Sequence, residues 1–222
     1  MSAVPTPPDA ITNMAEVLER LGNIPLCRVR FRPFPGTATE DDLLRVAAQE
    51  DRLCELVDGI LVEKGMGFRE SLLVAALAAL LRAFVVPRNL GLVSGPDGTM
   101  RLFAGRIRIP DVAFISWARL PGGRVPTEAI PDLVSDLAVE VLSASNTPGE
   151  MARKRREYFT AGVCLVWEVD PEARTVAVYT APDEPVVLTQ DQTLDGGDVL
   201  PGFALPLREF FAELDRQGPA AS

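Results

Sequence analysis

Residues Asp136 to Gly162, DLAVEVLSASNTPGEMARKRREYFTAG, constrain the fold more than any other stretch of this chain. Their first part alternates like a strand, with Leu137, Val139 and Val141 on one face and Asp136, Ala138, Glu140 and Leu142 on the other. A carboxylate in so apolar a strand is costly to bury unless a positive charge meets it. The second part supplies such charges. Thr147-Pro148-Gly149-Glu150 is a capping-box pattern, with Thr147 at the N-cap, Pro148 in the first helical position and Glu150 placed to reach back. It predicts a helix that ends at Gly162 and carries Arg153-Lys154-Arg155-Arg156. A strand with an inward acid therefore runs, through a short polar turn, into a helix with a basic cluster.

A matching half lies upstream. Ile109 to Ile115 reads as another strand, with Asp111, Ala113 and Ile115 on one face and Pro110 at its start, where no ladder donor is needed. If the two strands pair, Asp111 and Glu140 converge on one side of one sheet. Two acids and a cation at a sheet edge are the minimal kit for holding a divalent metal against a phosphodiester. Spacing alone does not choose the cation. The apolar stripe of the helix centres near Met151 and Tyr158, and Arg155 falls closer to that centre than Lys154, which sits on its flank. Tyr158 reads as a core aromatic, Glu168 and Asp170 as residues serving a turn, and Glu55 as an outward residue of a hairpin strand.

What is missing narrows the chemistry further. The 222 residues contain no histidine, which eliminates Ser-His-Asp and Cys-His catalysis and histidine-based metal sites. Acid–base work must fall to carboxylates, lysine, tyrosine or metal-bound water. Cys27, Cys54 and Cys164 are scattered in apolar contexts without CxxC spacing, and read as buried thiols in a reducing compartment. A net charge of −9 opposes non-specific nucleic-acid binding but permits a locally basic cleft. Only Lys64 and Lys154 among 22 basic residues are lysines. The longest apolar run, Leu72 to Leu81, is too short to span a bilayer, and the N-terminal residues lack the pattern of a signal peptide, so a cytoplasmic protein is expected.

The length suits one domain with additions. Residues 1–38 read as an N-terminal extension, Pro-rich and disordered over 1–8, with a short helix between Asp9 and Leu21. A single domain is expected over 39–216 and a disordered tail over 217–222. Thr39 is the expected N-cap of a helix with an acidic first turn. Asp58-Gly59 between Leu53–Val57 and Ile60–Glu63 predicts a hairpin with a type I′ turn. Phe68 to Val86 predicts a long buried helix ended by Pro87. Strands are expected at Leu90–Ser94, Met100–Phe103, Val163–Val169, Thr175–Thr180 and Val186–Thr189, and a terminal helix near Leu207–Leu214, entered through Pro201-Gly202-Phe203. Between Trp117 and Ser135 a long surface loop is expected. The fold class is mixed α/β: a mixed sheet flanked by helices.

At these motifs the chain resembles the PD-(D/E)XK nuclease superfamily, and more closely the bacterial restriction-endonuclease-like domains of the Uma-two type. The matching text is Glu55-Leu56-Val57-Asp58-Gly59, Pro110-Asp111-Val112-Ala113-Phe114, and Asp136 to Ser143. It continues through Lys154, Tyr158, Ala161-Gly162-Val163 and Trp167 to Pro171. The resemblance implies a restriction-endonuclease-like core and a Mg- or Mn-dependent endonuclease acting on DNA, often as a homodimer so that both strands are cut. It implies that Asp111, Glu140 and the Val141 carbonyl ligate the metal. Glu55 would be the N-terminal acid that completes the site. Leu142 occupies the superfamily's usual lysine position, and the resemblance assigns that role to Lys154 on the following helix. Many members carry a histidine near the start of the long apolar helix, where this chain has Phe68-Arg69-Glu70. That departure keeps open a catalytically inactive binding module of the same fold. A hydrolase of RNA or of a small phosphoester would share the same site residues.

Overall fold

The computed structural model describes residues 11–65 and 67–218; the disordered segment expected at 1–8 and most of the expected C-terminal tail lie outside the described residues. Among the described residues, two sheets and a separate hairpin carry twelve strands. The smaller sheet has the order β2-β1-β5-β4, from β1 (Cys54–Val57), β2 (Ile60–Glu63), β4 (Met100–Phe103) and β5 (Arg106–Arg108). The larger has the order β10-β9-β8-β7-β6-β3, from β3 (Gly91–Ser94), β6 (Val112–Ser116), β7 (Leu137–Val141), β8 (Leu165–Asp170), β9 (Thr175–Tyr179) and β10 (Pro185–Thr189). β11 (Thr193–Gly196) pairs only with β12 (Leu200–Pro206). The helices are α1 (Met14–Arg20), α2 (Glu40–Glu50), α3 (Phe68–Val85), α4 (Pro148–Ala161) and α5 (Leu207–Phe211).

The local signals form as their chemistry dictates. Asp58 and Gly59 both take positive φ, 50° and 75°, as a two-residue hairpin turn requires. Thr39 closes a full capping box with Asp42. α4 starts at Pro148, with the Thr147 side chain accepting from the Glu150 amide, and ends where Gly162 adopts φ 102°. Only half of the expected capping box forms there. The Glu150 carboxylate turns instead to Arg28, which grips it with two nitrogens at 2.8 and 2.9 Å, because a bidentate guanidinium outweighs a single backbone N–H.

β6 and β7 pair antiparallel, with Ala113 opposite Ala138, whereas β7 and β8 are parallel and joined by α4. The large sheet therefore has two unlike faces. Val112, Phe114, Leu137, Val139 and Trp167 pack under α3, whose Leu73, Val74, Leu77, Leu81 and Val85 are all buried. Each such side chain contributes roughly 1.5–3 kcal/mol of gross burial. The opposite face is lined by Ala113, Ile115, Ala138 and Val166, with Tyr158 of α4 set among them. Small residues at 113 and 138 leave the room in which α4 can lie close to the sheet.

Three expectations are corrected. β5 was not foreseen, because Arg-Ile-Arg does not read as buried; both arginines are buried because carboxylates meet them. The β11–β12 hairpin replaces what reads as an irregular approach to the terminal helix. Of the three thiols only Cys54 is buried, while Cys27 and Cys164 are exposed.

Candidate active site

The chain passes from the small sheet to the large one through Ile109, Pro110 and Asp111, between β5 and β6. The seam lies beneath α4, and charged side chains from β1, β5, β7, α4 and the approach to β6 meet there. Asp111 stands at the mouth of β6 and points to the C-terminal end of β7, where one carboxylate oxygen accepts the Val141 N–H at 2.7 Å. The Asp111 amide in turn donates to the Val139 carbonyl at 2.9 Å. Glu140 shares the Ala138 face of β7 and so projects toward α4. There it accepts from Lys154 at 3.0 Å and from the Tyr158 hydroxyl at 2.5 Å. Glu55, from β1, reaches the same ammonium at 3.2 Å. It also takes the Ile109 N–H at 3.1 Å and Arg108 at 2.6 Å. Arg108 joins Glu55 to Glu157 of α4.

All four acids and cations at the centre are sealed from solvent: Glu55 is 1%, Lys154 2%, Asp111 4% and Glu140 4% exposed. Burial shapes their protonation. Desolvation, reinforced by the charges of Asp111 and Glu55, pushes the Glu140 carboxyl up to about 7 against the pull of Lys154. Glu55 also suffers burial, yet Lys154, Arg108, Lys64 and the Ile109 N–H outweigh it and hold its carboxyl well below the usual range. For Lys154 desolvation is overcome by Glu140 and Glu55, and its ammonium is held above the ordinary lysine range.

The structure thus brings Asp111, Glu140, Glu55 and Lys154 into one cluster, with the Val141 amide between the two strand acids. The choice left open on α4 goes to Lys154, which is buried under the helix, while Arg155 pairs with Glu168 at 2.7 Å. Glu168 accordingly does not serve the turn, which is capped by Asp170 through the Glu172 and Ala173 amides. Glu55 is not an outward strand residue, and Tyr158 is both core and hydrogen-bond donor. One residue of the cluster was missed altogether: Lys64, whose Nζ lies 2.8 Å from Asp111. The signal for it was in the composition, since the two lysines of an otherwise arginine-based chain both end here.

Two carboxylates on one sheet face suit a hard divalent ion such as Mg, which prefers few protein oxygens and retains waters. Among the described residues, no three His, Cys, Asp or Glu stand together as a ready cage, and the places beside the carboxylates are taken by ammonium groups. The donor set fits an ion; admitting one requires an ammonium to give way. A cleft of about 680 Å3 opens at the same end of the sheet, walled by Ser143, Asn146, Arg155, Asp170 and Arg69. Its wall reaches Leu142, just beyond Glu140. No described helix is long and apolar enough to cross a membrane.

Comparison with known proteins agrees with this architecture. A crystal structure of a protein from Anabaena variabilis ATCC 29413, described as a "putative nuclease belonging to DUF820", superposes with a TM-score of 0.66 at 20% identity, covering 74% of this chain and 92% of that one. That likeness establishes a shared nuclease-like fold. No curated protein matches the chain. The family profile of Uma2, described as "Putative restriction endonuclease", matches residues 40–208, from the first residue of α2 into α5, and the chain belongs to that family.

Proposed function

We propose that the protein is a metal-dependent endonuclease that hydrolyses DNA phosphodiester bonds. The observation that carries the reading is the meeting of Asp111, just ahead of β6, with the C-terminal end of β7 through the Val141 N–H, beside Glu140 with the Lys154 ammonium 3.0 Å away, in a chain of this family. Asp111, Glu140 and the Val141 carbonyl would hold Mg or Mn, with Glu55 behind them. A bound ion of this kind supplies Lewis-acid polarisation of a phosphoryl oxygen and offsets its charge.

The chain's own groups have distinct tasks. Lys154 stays protonated between Glu140 and Glu55, so it acts as a fixed positive charge and not as a proton acceptor. Tyr158 and Lys154 together hold both Glu140 oxygens in one orientation. Arg108 and the Ile109 N–H do the same for Glu55. The adjacent cleft is lined by Arg69 and Arg155 but also by Glu70, Glu168, Asp170 and Glu172, so a bound ion would have to offset the charge of a phosphate backbone there. Cutting both strands of a duplex would call for two copies of the chain.

A second reading has a specific observation behind it. Each carboxylate of the set already has a cation against it, as expected of an inactive module that keeps the fold, and the chain has Phe68-Arg69-Glu70 in the region where the resemblance implies a histidine. Plasmid cleavage in Mn separates the two. The parent should nick or linearise DNA, and Asp111→Asn and Glu140→Gln should each lose at least about a hundredfold of that rate. A parent without activity, or cleavage equal in all three proteins, refutes the nuclease reading.

A further inference from the structure

Lys154 has two acids to neutralise, but the nuclease reading gives Lys64 nothing to do. Lys64 follows β2 directly, and its side chain is 7% exposed. Its Nζ lies 2.8 Å from an Asp111 carboxylate oxygen, 2.6 Å from the Ile109 carbonyl and 3.2 Å from the Pro96 carbonyl. An ammonium has three N–H donors and no acceptor, so this tripod of oxygens saturates it. One carboxylate and two backbone carbonyls around a compact positive charge are also the donor types that hard metal cations take. A guanidinium, planar and forked, would not fill the same tripod, which gives a physical reason for lysine here in a chain that elsewhere prefers arginine.

We propose that the oxygens of Asp111, Ile109 and Pro96 form a hard-cation site whose resident occupant is the Lys64 ammonium, so that a divalent ion reaches Asp111 only by displacing that side chain. The inference rests on the reading of Asp111 as a metal ligand and adds to it a competition within the chain. Asp111 is prepared for either occupant, because its second oxygen is fixed by the Val141 amide whichever cation holds the first. The apparent ion affinity is then the intrinsic affinity scaled by the fraction of molecules in which Lys64 has withdrawn.

Mn titration of the full chain, followed by the electron paramagnetic resonance of the free ion and by melting temperature, tests the competition without reference to cleavage. Lys64→Ala should bind Mn at least about tenfold more tightly than the parent and gain more thermal stability from it. Adding Asp111→Asn should abolish that gain. If Lys64→Ala folds poorly alone, recovery of its melting transition by Mn or by ammonium upholds the proposal, and failure to recover in either overturns it. Equal, Asp111-dependent binding by parent and Lys64→Ala overturns the competition and leaves the nuclease reading standing. Binding by Lys64→Ala alone upholds the competition and removes metal dependence from the native chain. No binding by either overturns both.

Discussion

Replacing Lys154 by Met removes the ammonium in contact with both Glu140 and Glu55 while keeping the length of the side chain. Glu55 retains Arg108 and the Ile109 N–H, so its charge stays supported. Glu140 keeps only the Tyr158 hydroxyl. Removing one partner of a buried pair costs about 3–5 kcal/mol, but here the loss should depend on pH. In the parent, burial pushes the Glu140 carboxyl up to about 7. A carboxyl raised above its unfolded value favours the folded state at low pH, and that advantage is lost as pH climbs through the folded value. Without Lys154 the folded value rises further, and Glu140 must stay protonated through the window in which the parent ionises. Each such pH unit costs about 1.4 kcal/mol. Urea unfolding with a chelator present, at pH 6 and pH 8, should therefore show the variant's deficit growing by roughly 1 kcal/mol between the two. A deficit that is constant with pH, or below about 1 kcal/mol throughout, would refute the claim that Lys154 sustains a buried Glu140 anion.

The same reasoning extends to other contacts. Arg28 binds the buried Glu150 carboxylate bidentately and also donates to the Glu63 and Ser145 carbonyls. Arg28→Met should cost about 3 kcal/mol in urea unfolding, and Arg28→Lys should recover less than half, because an ammonium cannot match the fork. Thr147→Ala removes both the α4 cap and the 2.6 Å hydrogen bond from its hydroxyl to the Gly22 carbonyl. Its cost should reach the upper part of the range of about 0.5–2 kcal/mol for lost caps, and Thr147→Ser should be near neutral in thermal melts. Burial pushes the Cys54 thiol up to about 11, while Cys27 and Cys164 are exposed. A thiol reagent at pH 8 should label two sites quickly and the third only on unfolding, as read by mass of the intact protein. Fast labelling of Cys54 would contradict the packing around β1.

Local chemistry made much of this molecule legible in advance. Asp58-Gly59 announces its hairpin, Thr39 and Thr147 announce their helices, and Gly162 announces a stop, because turns and caps depend on neighbours in the chain. The alternation of Leu137 to Val141 places Glu140 opposite the α3-packed face for the same reason. β5 escaped notice because two arginines in three residues look solvated until Glu55, Glu157 and Asp58 are brought to them. The β11–β12 hairpin escaped because its strands pair with no larger sheet.

From sequence alone follow the strand–turn–helix unit, the mixed α/β class, the absence of histidine chemistry and the acids Asp111 and Glu140, since periodicity and composition are properties of the chain itself. Tertiary structure alone selected Lys154 over Arg155, turned Glu55 inward and set Lys64 on Asp111. Those outcomes depend on which distant segments meet at the seam of two sheets. A buried charge is tolerated only where its partner arrives, and the spacing of residues along the chain does not record that arrival.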